Sequence, residues 1–286
     1  MAALPLRIIY LLRWHKPAGR LILMIPALWS LVLACRSLEI LPPPDLTLVI
    51  VLGSLATSAM GCVINDLWDQ DIDREVERTR NRPLANKSLS LAVGAVVLVI
   101  AAGCALGLAT YLNPLSFGLC LAAVPVIVVY PLCKRFFALP QLVLSLAWGF
   151  AVLIPWTAVT QSLTIPAWLL WGATLSWTMA FDTVYALSDR EDDRRLGINS
   201  SALFFGDRVT IAVTCFYALT LVLLGFLGYW MNLGSPYFYS LAIAAIGWAW
   251  HWQQLKFLPD SPSIYPRLFN HNVILGFVLL LGMVFS

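Results

Sequence analysis

The chain has 286 residues, 60% of them hydrophobic and only 12% charged, with a mean hydropathy of +0.82 and a formal net charge of +3. A soluble domain carries charge on about a quarter of its residues, so this composition excludes a water-soluble enzyme and points to a chain whose solvent is lipid. Nothing in it marks a nucleic-acid partner.

In chain order, residues 7–16 mix basic and apolar positions and predict a short interfacial helix. Runs long enough to cross a bilayer then follow at 21–38, 46–68, 91–111, 115–133, 140–160, 166–188, 209–230, 237–257 and 268–285. Charge extending to Arg20, with further apolar runs behind it, argues against a removable signal peptide. Asn113-Pro114, Thr164-Ile165-Pro166 and Gly234-Ser235-Pro236 read as short uncharged turns on one side. The expected fold class is all-α: a polytopic membrane protein of about nine transmembrane helices in one domain, 1–286. Residues 1–20 form an N-terminal interfacial segment, and 69–90 and 189–208 form two loops. With these spans, 17 of the 18 Lys and Arg fall on one side and only Arg36 on the other. That bias places the N-terminus and both loops in the cytoplasm, and the protein in the cell inner membrane.

Acidic charge is as uneven as basic charge. Of 15 Asp and Glu, eleven lie in two short segments, 66–77 and 182–193. Asp66, Asp69 and Asp73, at i, i+3 and i+7, project from one helical face. Asp182, Tyr185, Asp189 and Asp193, at offsets 0, 3, 7 and 11, make a second stripe. A carboxylate at the edge of hydrocarbon is costly and marks function by default; the bland alternative is a solvated loop balanced by its arginines. Two facing carboxylate stripes suit hard divalent cations, and Mg²⁺ is usually shared with substrate phosphates. A third segment on the same face, Tyr130-Pro131-x-x-Lys134-Arg135, adds two cations. Carboxylates, metal and bases at one membrane surface match a diphosphate, and a diphosphate with its tail in the bilayer describes a polyprenyl diphosphate. Ionisation would leave an allylic cation, which Trp29, Trp68, Tyr130, Phe181 and Tyr185 could shield; in a chain with 12 Trp, 14 Phe and 9 Tyr the competing reading is ordinary packing. The six cysteines and His15, His251 and His271 show no metal-ligand spacing.

Three motifs, Asn65-Asp66-x-x-Asp69-x-x-x-Asp73, Tyr130-Pro-x-x-Lys134-Arg135 and Asp182-Thr-x-Tyr185-Ala-x-x-Asp189-Arg-Glu-Asp-Asp193, together resemble the UbiA superfamily of intramembrane aromatic prenyltransferases. The likeness runs from Arg13-Trp-His-Lys-Pro-Ala-Gly19 to the 197–206 stretch. Gly61-Cys-Val-Ile-Asn-Asp66 and Arg78-Thr-Arg-Asn-Arg-Pro-Leu84 look most like the 4-hydroxybenzoate polyprenyltransferases. Gly197-Ile-Asn-Ser-Ser-Ala202 departs from the commoner form with Lys and Thr at positions 199 and 201, and is similar to the cyanobacterial enzymes that feed plastoquinone. The resemblance implies helices around a central cavity open to the cytoplasmic side and laterally to lipid. It also implies Mg²⁺-dependent transfer of a polyprenyl group from polyprenyl diphosphate to 4-hydroxybenzoate in plastoquinone or ubiquinone synthesis, with no obligate protein partner. By position, Asp66, Asp69 and Asp73 would hold one Mg²⁺ and Asp189 with Asp193 the other. Asn65 would position phosphate or acceptor, and Lys134, Arg78 and Arg82 would neutralise the diphosphate. Arg135, which adjoins Lys134 but points to a different helical face if the segment is helical, or Arg20 would take the acceptor carboxylate. Asp189 or Asp192 would polarise the phenol, with pyrophosphate an equal candidate for the final proton. Tyr130, Asp182 and Tyr185 complete the substrate site.

Other readings fare worse on the residues. A soluble-type prenyl-chain synthase needs amphipathic helices with polar outer faces, and these runs are apolar almost all round. A CDP-alcohol phosphotransferase would show Asp-x-x-Asp-Gly, whereas Gln70 follows Asp69. A transporter would place its acids near the bilayer midplane rather than at helix mouths. Another aromatic acceptor (homogentisate, naphthoate, chlorophyllide or haem) is the nearest rival.

Overall fold

The structure, a computed structural model, describes residues 3–257 and 263–286. It is built from helices, with no strand among the described residues. A short α1 (Leu4–Leu11) leads into α2 (Ala18–Ser37), α3 (Pro44–Glu75), α4 (Leu91–Ala109), α5 (Pro114–Cys133), α6 (Pro140–Thr160) and α7 (Ile165–Ala186). Two short helices, α8 (Arg190–Leu196) and α9 (Ser201–Phe205), precede α10 (Val209–Trp230), α11 (Ser235–Phe257) and α12 (Ile264–Val284).

Local sequence sets many of these boundaries. Proline stands in the first turn of α3, α5, α6 and α7, where its missing N–H costs nothing. Ser90 and Asn113 cap α4 and α5 by accepting from the amides of Val93 at 3.3 Å and Ser116 at 3.0 Å. Gly197, with φ +67°, supplies the left-handed residue that ends α8. Interior prolines in α2, α5 and α6 are tolerated because neighbouring helices and side chains re-satisfy the freed backbone groups.

Each of the nine expected spans coincides with one long helix, but the boundaries differ in informative ways. Seven of these helices are long and apolar enough to cross a membrane by length and hydropathy. The two others, α7 and α11, carry the polar cargo: Asp182 and four Thr or Ser residues on α7, and His251 with two glutamines on α11. α3 continues to Glu75, so Asp69 and Asp73 stand on helix rather than in a loop. The second stripe is not one continuous helix. α7 stops at Ala186, a 3-10 turn covers Leu187–Asp189, and α8 starts at Arg190. The interfacial helix ends at Leu11 and not at 16, because Arg13 adopts a left-handed backbone with φ 55°.

The core lies among α2, α6, α7, α10, α11 and α12. α2 and α7 are its most enclosed members, whereas α4 and α5 show Val99, Ile100, Leu121 and Val129 on the outer surface, as expected of helices facing lipid. Without a strong hydrophobic drive between helices in lipid, polar bonds and close packing join them. Trp29 donates to the Gly276 carbonyl at 2.9 Å, and Ser30 to that of Val152 at 2.6 Å. Asn272 is a hub for four helices: its side-chain oxygen accepts from the indoles of Trp177 and Trp248 at 3.0 Å each, and its amide donates to Tyr217 at 3.0 Å. At Gly282 a Cβ would fall 2.0 Å from Ser240 Oγ, so only glycine permits α12 to approach α11 there. Among α2 to α6 an apolar cavity of about 340 Å³ remains, lined by residues such as Leu23, Ile50, Met60, Ala105, Ile127 and Ala147.

Candidate active site

One end of the bundle gathers the charged motifs. Asp66, Asp69 and Asp73 share one face of α3, all buried, with exposures of 1%, 2% and 4%. Each is met by a base from another segment. Arg13 Nη2 lies 2.6 Å from Asp66 Oδ1, and Arg82 Nη1 lies 3.2 Å from that oxygen and 2.7 Å from Asp73 Oδ2. Lys134 Nζ sits 2.6 Å from Asp69 Oδ2. Burial works against the charge on Arg13, and Asp66 more than offsets it, so the guanidinium holds its proton more firmly than an ordinary arginine.

The second acidic segment joins the first through Arg78, which grips both oxygens of Asp189. It also donates to the Tyr185 hydroxyl at 2.9 Å and lies over that ring, 5.1 Å from its centre. Arg195 donates to the Glu75 carbonyl at 2.6 Å, and the Asn199 amide donates to the Lys134 carbonyl at 2.8 Å. The three motifs, far apart in sequence, are thus stitched into one surface. Asp192 pairs with Arg195 at 2.9 Å. Asp182 and Asp193 have no ion-pair partner among the described residues, and burial, with a smaller push from Asp189, raises the Asp193 carboxyl to about 6.

Not every expected residue stands as the spacing predicts. Lys134 and Arg135 do not diverge to different faces. α5 ends at Cys133, the next three residues form a turn, and both side chains reach Asp69, Arg135 Nη2 lying 3.6 Å from Oδ1. Arg135 also donates to the Trp68 carbonyl at 2.6 Å, which ties it to α3. Arg20 is buried on the first turn of α2, bonded to the Leu12 carbonyl and lying over Trp14, with its guanidinium carbon 4.5 Å from the ring centre. Tyr130 donates to Asn65 Oδ1 at 3.4 Å.

Of the proposed aromatic shields, Trp29 and Phe181 are fully buried packing residues and Trp68 is exposed; Tyr130 and Tyr185 are partly exposed among the charged groups. Two residues were missed. Phe269 lies 5.0 Å from the Tyr185 ring and 5.6 Å from that of Phe181, but nothing in the 268–285 run distinguishes it. Arg13 had a signal, a base just ahead of the first span, yet no partner within sight.

The donors suit a hard cation. Asp66 Oδ2 and Asp69 Oδ1 are buried oxygens without a hydrogen-bond partner. Among the described residues no three acidic, His or Cys side chains close into a coordination cluster by themselves. A Mg²⁺ ion held here would complete its shell with water and phosphate oxygens rather than with a protein cage.

The profile of the UbiA prenyltransferase family matches residues 23–274. The chain belongs to this family. It is 61% identical over 279 residues to a 4-hydroxybenzoate solanesyltransferase from Synechocystis sp., covering 98% of this chain and 94% of that one. Among solved folds, the apo structure of a UbiA homolog from Aeropyrum pernix matches with a TM-score of 0.80 at 21% identity, over 93% of this chain and 97% of that one. A UbiA homolog from Archaeoglobus fulgidus, bound to GPP and Mg²⁺, matches with a TM-score of 0.72 at 20% identity, over 96% of this chain and 99% of that one. This UbiA chain is therefore a multi-span membrane protein with the family's helical fold.

Proposed function

We propose that this UbiA-family protein transfers a polyprenyl group from polyprenyl diphosphate to 4-hydroxybenzoate, giving 3-polyprenyl-4-hydroxybenzoate and diphosphate in quinone synthesis. The observation that carries this reading is the meeting of both aspartate segments with Arg13, Arg78, Arg82 and Lys134 at one end of an apolar bundle. The choice of acceptor leans on the full-length likeness to the Synechocystis enzyme.

In this reading all nine long helices cross the bilayer, with the charged end on the cytoplasmic side of the inner membrane, where the positive-inside bias puts it. Asp66, Asp69 and Asp73 would hold one Mg²⁺ and Asp189 with Asp193 a second, and the metals supply Lewis-acid neutralisation of the leaving diphosphate. Lys134, Arg78 and Arg82 bind the remaining phosphate oxygens. Such preorganised charge is the main contribution a protein makes to this chemistry. The tail is seated in the apolar cavity among α2 to α6, because hydrocarbon gains nothing by entering water.

The C–O bond of the allylic diphosphate breaks, and its electron pair leaves with the diphosphate. The ring carbon ortho to the hydroxyl attacks the allylic carbon, the para carbon being occupied by carboxylate. Tyr130 and Tyr185 present their rings beside the developing cation. Loss of the ring proton restores aromaticity. Asp189 and Asp192 are each engaged by an arginine, so the released diphosphate or Asp182, which has no ion-pair partner among the described residues, takes that proton.

The test is a panel. Membranes containing the protein, Mg²⁺ and solanesyl diphosphate are given 4-hydroxybenzoate, homogentisate or benzoate, and the products are identified by mass. Prenylation of 4-hydroxybenzoate alone is expected. Turnover of homogentisate in its place would overturn the acceptor, and prenylation of benzoate would overturn the mechanism, since the hydroxyl is what makes the ring nucleophilic.

A further inference from the structure

Of the five carboxylates expected to face metal, four already hold a cation from elsewhere in the chain. Asp66 holds Arg13 and Arg82, Asp73 holds Arg82, Asp69 holds Lys134 with Arg135 nearby, and Asp189 holds Arg78. A divalent cation arriving alone would meet a guanidinium or ammonium on each of these groups, and like charges at such spacing repel strongly in a partly buried site. A diphosphate arriving alone would meet bases whose charge is already satisfied. Only the two together offer every group a partner, metal for carboxylate and phosphate oxygen for guanidinium.

We propose that these bases are internal counter-ions, led by Arg13, which occupy the carboxylates and release them to a divalent cation only when a diphosphate is present to receive the guanidinium groups. This rests on the prenyl-transfer reading above and adds Arg13 as a diphosphate-responsive residue. Two independent features single it out.

The first is placement. The turn that carries Arg13 is fastened on both sides, by Arg7 bonded to the Ser88 carbonyl and by Arg20 bonded to the Leu12 carbonyl. Within it Arg13 itself takes the left-handed backbone, φ 55°, that usually falls to glycine at a helix end. The second is the carboxylate it meets. Asp66 is 1% exposed, one of its oxygens is shared by Arg13 and Arg82, and the other has no hydrogen-bond partner. A guanidinium on Oδ1 with Oδ2 left bare neutralises the carboxylate without filling it. Arg13 is also 32% exposed at its side chain, so it can turn toward a phosphate without unpacking the bundle.

The experiment measures metal binding, not turnover. The full-length protein in lipid nanodiscs is dialysed to equilibrium against Mn²⁺, with and without inorganic pyrophosphate, and protein-bound Mn²⁺ is counted. Bridging by phosphate alone would tighten Mn²⁺ binding in any variant, so the decisive arm is the one without pyrophosphate. There Arg13→Gln is expected to bind Mn²⁺ about fivefold more tightly than the wild type. Because Arg13 has already left Asp66 when pyrophosphate is bound, Mn²⁺ affinity in that arm is unchanged and the enhancement due to pyrophosphate shrinks by the same factor. Arg82→Gln, which unloads Asp73 and the second contact on Asp66, shifts binding in the same direction, and Arg13→Lys, which keeps the charge, stays close to the wild type. Arg13→Gln and Arg82→Gln binding Mn²⁺ no more tightly than the wild type without pyrophosphate would overturn the proposal. If the wild-type protein turns over 4-hydroxybenzoate in that case, the counter-ion exchange fails alone. A protein with the expected metal shift but no prenyl transfer instead overturns the function on which the inference rests.

Discussion

Lys134→Met removes the ammonium from Asp69 while keeping most of the aliphatic stem. The Lys134 Nζ lies 2.6 Å from Asp69 Oδ2, and the side chains are 22% and 2% exposed. Removing one partner of a fully buried pair costs about 3–5 kcal/mol. Here the lysine end reaches solvent, and Arg135 stands 3.6 Å from the other oxygen, so a single charge-assisted contact of about 1.5–3 kcal/mol is the better measure. Transferred to the diphosphate that the ammonium binds in the reacting complex, that is a rise of roughly 10- to 150-fold in KM for polyprenyl diphosphate. The assay is steady-state prenylation of 4-hydroxybenzoate with each substrate varied in turn. Lys134→Arg, which keeps the charge, is expected to recover part of the loss. A KM for the diphosphate within about twofold of the wild type, with the KM for 4-hydroxybenzoate raised, would refute the reasoning and move Lys134 to the acceptor.

Asp69→Ala and Asp189→Ala should each abolish turnover while leaving a folded protein by thermal unfolding, and EDTA should do the same reversibly; activity that persists in EDTA would remove the metal from the mechanism. Single cysteines at positions 80 and 200 should react with an impermeant reagent from the same side of the membrane, and labelling from opposite sides would break the nine-span arrangement. Asn272→Leu strands the indole N–H groups of Trp177 and Trp248 at a cost of about 2–4 kcal/mol, so Tm should fall by several degrees while the KM values stay unchanged. An unaltered Tm would show that those donors find other partners.

Much of this protein could be read from its residues because the information is local. A bilayer imposes a length on every apolar run, and that constraint acts on each run separately, so the positions of the long helices follow from hydropathy. The helical period likewise determines that Asp66, Asp69 and Asp73 share a face, and all three are indeed buried on α3. Local reading faltered where a helix ends. The 3-10 turn at Leu187–Asp189 interrupts the second stripe, and the turn after Cys133 brings Lys134 and Arg135 onto one carboxylate instead of two faces.

What only the tertiary structure decided is which charge meets which. The sequence supplies an inventory of acids and bases clustered in a few segments, and any arginine could in principle serve any aspartate. Arg13 reaches Asp66 across 53 positions and Arg78 reaches Asp189 across 111. Those pairings depend on how α2, α3, α5 and α7 are arranged around one another, which is set by apolar packing and by buried hubs such as Asn272. Coulomb attraction has long range and little directional preference, so it leaves no periodic trace along the chain. The same holds for the cavity among α2 to α6, since a void belongs to five helices at once and is written in none of them.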